Sequence, residues 1–412
     1  MHTTIRPCVT GMGVITPIGQ DLDSFWTSLI TGRSGAGSVG SFDTSALKNS
    51  IGCEVGAYTI PGPVRRHVLG GRCTELALLA AIQAVEQSGI RPLLEGAPDA
   101  GVVVGTTMGD VALFEQERAS HTDRQADDRE IASLAHRPLD VMGRSVAGLY
   151  GISGPVTTAP TACAAGAYAI GMAAALVSRG RVRSALAVGC EAFSRLAFIG
   201  FTRLGAMSAD LCRPFSKDRP GLLLGEGAAA LVVESEAGAR SRGAEVLGFV
   251  DGFGLSCDAF HITGPHPEGL GAARAMMGAL EAGRIPVDAI DYINAHGTGT
   301  HLNDKVESLA VRTVFGGRAA RVPVSSIKAL TGHMMGAAGC VEAVASFLAM
   351  RKGVIPPTWN WLEADPECAI DCVPNEPRPA RLRHILSNSY AFGGNNASLL
   401  LSAPPGAAGT VS

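Results

Sequence analysis

The chain is poor in charge, poor in aromatic rings and free of paired cysteine motifs. Charged residues make up 17% of its 412 positions, and Phe, Trp and Tyr together 5%, while hydrophobic residues reach 46%. So apolar a chain is not a disordered one. It also lacks a basic excess: Lys and Arg number 34 against 37 Asp and Glu, a net charge of −3, which argues against bulk nucleic-acid binding. Its start, Met1 to Arg6, has no apolar run behind a basic head, so no secretory signal is expected. None of the ten cysteines falls in a CxxC pair, which excludes a zinc ribbon or a thioredoxin motif, and reduced thiols in the cytoplasm are expected. With roughly 150 residues per domain, the length suggests two or three structural units.

No charge at all occurs between Arg144 and Arg179. That stretch is long enough for a membrane span. Pro155 and Pro160 interrupt it, however, and Thr157, Thr158 and Thr161 crowd its centre, so it reads as a buried strand, a turn and a buried helix. No membrane association is expected. Elsewhere strand-like runs (8–10, 101–105, 184–189, 228–235, 289–295, 323–325, 397–402) alternate with helix-like ones (73–88, 164–179, 272–282, 305–315, 339–351). This is the pattern of an α/β protein with mixed sheets. Ala-rich helices and few rings suit helices packed between two sheets. The tail from 404 to 412, rich in Ala, Pro and Gly, is expected to be disordered.

Four segments carry chemistry-bearing residues. Thr161-Ala162-Cys163-Ala164-Ala165-Gly166 sets a cysteine just before a helix-like run. A thiol there feels the positive end of the helix dipole, which favours thiolate, and free N–H groups nearby can hold an oxyanion. A buried, inert cysteine is the competing reading. A hydrolase elbow fits poorly, because Thr161 and Ala165 stand where that motif has glycine. Asn294-Ala295-His296-Gly297-Thr298-Gly299-Thr300 puts a histidine at a strand end, where a structural histidine is the alternative. Ser325 to Gly339 delivers Lys328 and His333 into an apolar context, where a buried cation needs a partner. Asn388 to Asn396 holds Phe392 before paired glycines, a turn signal that is weak alone.

Taken in order, and with Val9 to Gly19, Arg213-Pro214-Phe215, Gly225-Glu226-Gly227-Ala228 and Asp258 to Thr263, these segments resemble the β-ketoacyl-acyl-carrier-protein synthases. Within these condensing enzymes of the thiolase superfamily, the resemblance is to the elongating type I/II group and closest to synthase II. It covers nearly the whole chain. It implies an α/β fold, a five-layer αβαβα sandwich of two similar halves, the first running to about Ser256 and the second from 257 to about Ala403. No internal repeat is visible in the sequence.

The resemblance implies a decarboxylative Claisen condensation with Cys163 as nucleophile. Backbone N–H groups of Cys163 and Phe392 would form the oxyanion hole. His296 and His333 would stabilise the enolate left by malonyl decarboxylation. Lys328 would orient and polarise the His333 side, balanced by Glu342, without transferring the proton itself. Thr298, Thr300 and Thr263 match hydroxyls along the phosphopantetheine arm, and turn threonines are the alternative for each. Phe392 matches the gate, preceded here by Ala391 where the family usually has glycine. Met108, Phe193, Ile199 and Phe201 match the acyl pocket, although core packing explains them as well. Arg65, Arg66 and Arg72 match the dock for an acidic carrier protein, with a solvated face as the alternative. No resident cofactor and no metal are implied. The expected partners are acyl carrier protein and, as homodimer or heterodimer, a ketosynthase-like subunit.

An initiating synthase carries Cys-His-Asn, and a degradative thiolase a second late cysteine; the His333 motif and the position of Cys372 before Phe392 favour neither. Chain-length-factor subunits lack the nucleophilic cysteine, which is present here. The active subunit of a heterodimer with such a factor remains the alternative to fatty-acid elongation.

Overall fold

The computed structural model describes residues 5–120 and 139–406. Ten strands form its large sheet: β1 (Pro7–Ile15), β2 (Ala100–Gly105), β3 (Val156–Ala159), β4 (Ser184–Glu191), β5 (Gly227–Ser235), β6 (Gly248–Cys257), β7 (Tyr292–Asn294), β8 (Val324–Ser325), β9 (His384–Tyr390) and β10 (Asn395–Ser402). Their spatial order is β8-β7-β9-β10-β6-β1-β5-β4-β2-β3.

That order contains the same unit twice. From β1 outward, the first five strands run in chain order first, fifth, fourth, second, third; from β6 outward the second five do the same. The first two pairings of each unit are antiparallel and the last two parallel. The halves join where Cys8 pairs with Phe249 and Val9 with Gly248. Because β6 opens the second half, the join lies before Gly248; the boundary expected at Ser256 cuts that strand and is corrected here. Of the expected tail, residues 407–412 lie outside the described residues.

Helices α1 (Arg72–Ser88), α2 (Ala165–Ser178), α3 (Leu270–Gly283), α4 (His301–Phe315) and α5 (Ala338–Lys352) build the layers. Every residue of α5 from Ala338 to Met350 is buried, which is the mark of a helix covered on all sides. It crosses α2 backbone to backbone, and a Cβ on Gly166 would sit 2.7 Å from the Cys340 nitrogen. The first strand of each half meets its outer helix in the same way. A Cβ on Gly11 or Gly13 would lie 2.0 or 2.1 Å from the carbonyls of Ala84 and Ala80, and one on Gly252 or Gly254 would lie 2.1 or 2.0 Å from those of Ala279 and Ala275. The close layers therefore need glycine at alternate strand positions. The expected strand over 289–295 shrinks to three residues, since Val287–Ala289 forms a 3-10 turn behind Pro286.

Among the described residues, no helix is long and apolar enough to cross a membrane. The charge-free stretch resolves into the end of a helix, β3, a turn and α2.

Candidate active site

Cys163 occupies a 3-10 turn, Ala162–Ala164, that leads directly into α2. Ala162 before it has φ 49°, a left-handed conformation that costs an L-residue roughly 1–2 kcal/mol. The turn aims the sulfur into a cavity of about 250 Å³ that His296, His333, Phe392, Thr298 and Thr300 also line. Backbone N–H groups of Phe392 and of Cys163 itself favour the charged form of the sulfur. The thiol is 6% exposed, and burial pushes its pKa up to about 12, against the pull of the Lys328 cation and those two N–H groups. The thiolate expected from the helix dipole is therefore corrected: desolvation outweighs it, and the resting group is a thiol.

His296 follows β7. Its N–H and that of Gly297 donate to the two carboxylate oxygens of Glu307 on α4, at 2.8 and 2.7 Å. His333 is held by strand-like bonding to the Leu223–Gly225 segment: its N–H donates to the Leu223 carbonyl (2.7 Å), and its carbonyl accepts from Gly225 (3.0 Å). Both imidazoles are pulled well below the ordinary histidine value by burial and by Lys328, so both are neutral near pH 7.

Lys328, 1% exposed, has three N–H donors and three neighbours: the Glu342 carboxylate, the His296 carbonyl (2.5 Å) and His296 Nδ1 (3.4 Å). An ammonium cannot accept, so Nδ1 of His296 must, and its proton resides on Nε2. Lys328 thus serves His296 by direct contact; for the His333 ring the cation acts only through its field. That corrects the expected emphasis on the His333 side.

The softer assignments divide. Thr298, Thr300 and Thr263 line the cavity. The first two hydroxyls are 2.9 Å apart, and that of Thr263 lies 3.3 Å from His261 Nδ1. Phe201 lines it too and stacks on Phe392, with centroids 5.5 Å apart. Met108 and Phe193 do not line this cavity; they pack behind it in a cluster with Leu222 and Met335. Ile199 is in neither group, because on the helix Arg195–Arg203 it is Phe198 that turns inward. Arg65 and Arg66 are exposed. Arg72 is not free to dock anything: it grips the buried Glu226 through two bonds of 2.8 and 2.7 Å. Glu226 in turn accepts from Val55 and Phe193.

Glu307, Glu191 and Arg219 were not singled out from the sequence. Glu191 collects the N–H groups of Thr107, Met108 and Gly336. Among the described residues, no cluster of His, Cys, Asp or Glu could hold a metal ion.

A buried thiol and two neutral imidazoles lining one cavity, in a fold that builds the same five-strand unit twice, are the arrangement of a thiolase-like condensing enzyme. Residues 6–239 match the family described as beta-ketoacyl synthase, N-terminal domain, and 247–361 its C-terminal domain. The chain belongs to the beta-ketoacyl synthase family. It is 36% identical over 403 residues to 3-oxoacyl-(acyl-carrier-protein) synthase 2 of Synechocystis sp., covering 96% of this chain and 97% of that one. It is also 36% identical over 421 residues to a putative polyketide beta-ketoacyl synthase 1 of Streptomyces cyaneus, covering 98% and 99%. Among solved structures, the ishigamide ketosynthase/chain length factor superposes with a TM-score of 0.89 at 39% identity, covering 98% of this chain and all of that one.

Proposed function

We propose that this chain catalyses decarboxylative condensation of an acyl group, delivered by acyl carrier protein and held on Cys163, with malonyl-acyl-carrier protein. The products are β-ketoacyl-acyl-carrier protein and CO2, in fatty-acid or type II polyketide elongation. One observation carries the reading: Cys163, His296, His333 and Phe392 line one cavity.

The steps follow from that geometry. The Cys163 sulfur attacks the incoming thioester carbonyl, and the N–H groups of Cys163 and Phe392 hold the oxyanion. The carrier thiol leaves with the proton that Cys163 gave up. The malonyl thioester then binds with its carbonyl oxygen between the Nε2–H of His296 and an N–H of His333. Loss of CO2 puts negative charge on that oxygen, where neutral imidazoles donate without having to lose a proton. The enolate carbon attacks the acyl-cysteine, and the Cys163 sulfur departs as a thiolate that takes a proton from solvent to restore the resting thiol. No step requires a resident cofactor. Thr298, Thr300 and Thr263 guide the phosphopantetheine arm, Phe392 gates the acyl chain, and Arg65 and Arg66 meet the carrier protein. All ten cysteines are free thiols, which suits the cytoplasm.

A second reading has a specific basis. One similar structure is the ishigamide ketosynthase/chain length factor, and another a ketosynthase in complex with its chain length factor from Xenorhabdus doucetiae, at 29% identity and TM-score 0.82. By that reading this chain is the active subunit of a heterodimer. A non-catalytic subunit is disfavoured by the complete Cys163, His296, Lys328 and His333 set. Elongation of a ladder of acyl primers by the pure protein, with and without candidate partner subunits, tests both. Product from the Cys163→Ala variant would overturn the nucleophile assignment.

A further inference from the structure

Among the described residues, Arg219 is the largest fully buried side chain, and it plays no part in the chemistry above. Its guanidinium donates to the Thr300 carbonyl (3.4 Å), the His301 carbonyl (3.1 Å) and the Ser216 carbonyl (2.8 Å), and pairs with Asp365. Asp304, 3.9 Å away, completes the charge balance and accepts from the N–H groups of Gly299 (3.2 Å) and Phe215 (2.8 Å). Two further donors come from the same stretch of chain: Cys212 Sγ to the Thr298 carbonyl (3.2 Å) and the Gly221 N–H to the Gly299 carbonyl (3.1 Å). Every carbonyl from 298 to 301 is therefore held by residues 212–221, and Arg219 alone holds two.

Pinned carbonyls fix the peptide planes. A threonine hydroxyl sits on Cβ with few χ1 choices, so fixed planes fix the hydroxyl. We infer that Arg219 is a positioning residue that presets the Thr298–Thr300 hydroxyl pair for the carrier-borne arm of the substrate. This rests on the proposed role of those hydroxyls. A buried cation with two buried carboxylates is an expensive way to brace a loop, and its value here is the planar fork, which Lys cannot reproduce.

The test uses Arg219→Lys, which keeps the charge and loses the fork. Three readouts are compared: KM and kcat for acylation of Cys163 from acyl carrier protein, alkylation of Cys163 by iodoacetamide, which needs no arm, and the same kinetics in a Thr298→Ala/Thr300→Ala background. The expected result is a rise in KM of about tenfold, with kcat and alkylation within about twofold, and no further rise in the threonine-free background. An unchanged KM, a parallel fall in alkylation, or an equal effect in both backgrounds would overturn the inference. If the double threonine variant itself keeps its KM, the underlying role of the hydroxyls fails instead. Should Arg219→Lys not fold, Asp365→Asn decides, since it loosens the same guanidinium from its outer side. It should raise KM in the same direction by a smaller factor, and an unchanged KM there also overturns the inference.

Discussion

The imidazole rings of His296 and His333 stand edge to face, with centroids 5.3 Å apart and planes 86° apart. Each is buried, and each is held well below the ordinary histidine pKa. Malonyl decarboxylation by the Cys163→Ala variant should therefore stay level as pH falls from 8 through 6.5 and decline only at lower pH. A midpoint near 6.5 in CO2 release would show that one ring titrates as an ordinary histidine. The linkage has a definite sign: the unfolded rings bind protons below about 6.5 and the folded ones refuse them, so this contribution to stability is lost as pH falls.

Glu307 works in the opposite direction. Burial raises its carboxyl to about 7 despite the N–H groups of Gly297 and His296. Its contribution is full below the unfolded value and is lost as pH rises through 7. Glu307→Gln keeps one acceptor for two N–H groups, and a stranded buried donor costs about 1–3 kcal/mol. The penalty in denaturant midpoint should be larger at pH 5 than at pH 8. Equal penalties at the two pH values would mean that Glu307 titrates as an ordinary carboxylate when folded, and the reverse order that its N–H donors hold it below one.

Lys328 and Glu342 form an ion pair with side chains 1% and 2% exposed. Glu342→Gln strands the ammonium, a loss of about 3–5 kcal/mol, whereas the paired change Lys328→Met with Glu342→Leu should recover most of it. The double variant should fold and still fail to release CO2, because His296 Nδ1 has lost the donor that keeps its proton on Nε2. Retained decarboxylation in that variant would assign Lys328 a purely structural role.

The residues proposed to react could be picked out of the sequence because each lies in a short local motif at a strand or helix end. Their supports could not. Glu307 is eleven residues from His296, and only the helix turn of α4 brings the two together. Strand β9 escaped notice because it buries Ser387, Asn388 and Ser389, polar residues that mimic a loop. The internal repeat did leave a trace: Gly11-Met12-Gly13-Val14 and Gly252-Phe253-Gly254-Leu255 open the two halves with the same glycine spacing. Four residues are too few to reveal a duplication until the helix carbonyls against them explain why glycine is needed. Of the four residues expected in the acyl pocket, Met108, Phe193 and Ile199 lie outside the cavity, Ile199 for lack of helix phase; Arg72, expected in the carrier-protein dock, is taken up by Glu226, 154 residues away.

The arginines should now separate. Arg65→Glu with Arg66→Glu should weaken carrier-protein binding at low salt, leave thermal stability unchanged, and lose its effect as salt rises. Arg72→Ala should behave differently, lowering stability by about 1–3 kcal/mol because Glu226 keeps its buried position without its cation. If Arg72→Ala weakened only carrier binding, the ion pair with Glu226 would not exist in solution.

Ala391 sits at φ −131° and ψ 153°, extended backbone that alanine adopts without strain, and its N–H donates to the Asn395 carbonyl at 2.9 Å. Gly393 and Gly394 already hold φ 81° and 77°, so the left-handed torsions fall after Phe392. If Phe392 is the proposed gate, it must leave its stack on Phe201 to open, and alanine limits the torsions available on the near side of the ring. Ala391→Gly should therefore speed single-turnover acylation by long-chain acyl carrier proteins and leave acetyl transfer unchanged. It should also cost about 0.4–1 kcal/mol of stability through the unfolded chain. Equal rates for long chains in both proteins would place the hinge at Gly393 and Gly394 alone, with the Gly393 N–H bond to the Ile262 carbonyl (2.8 Å) as the contact that must break.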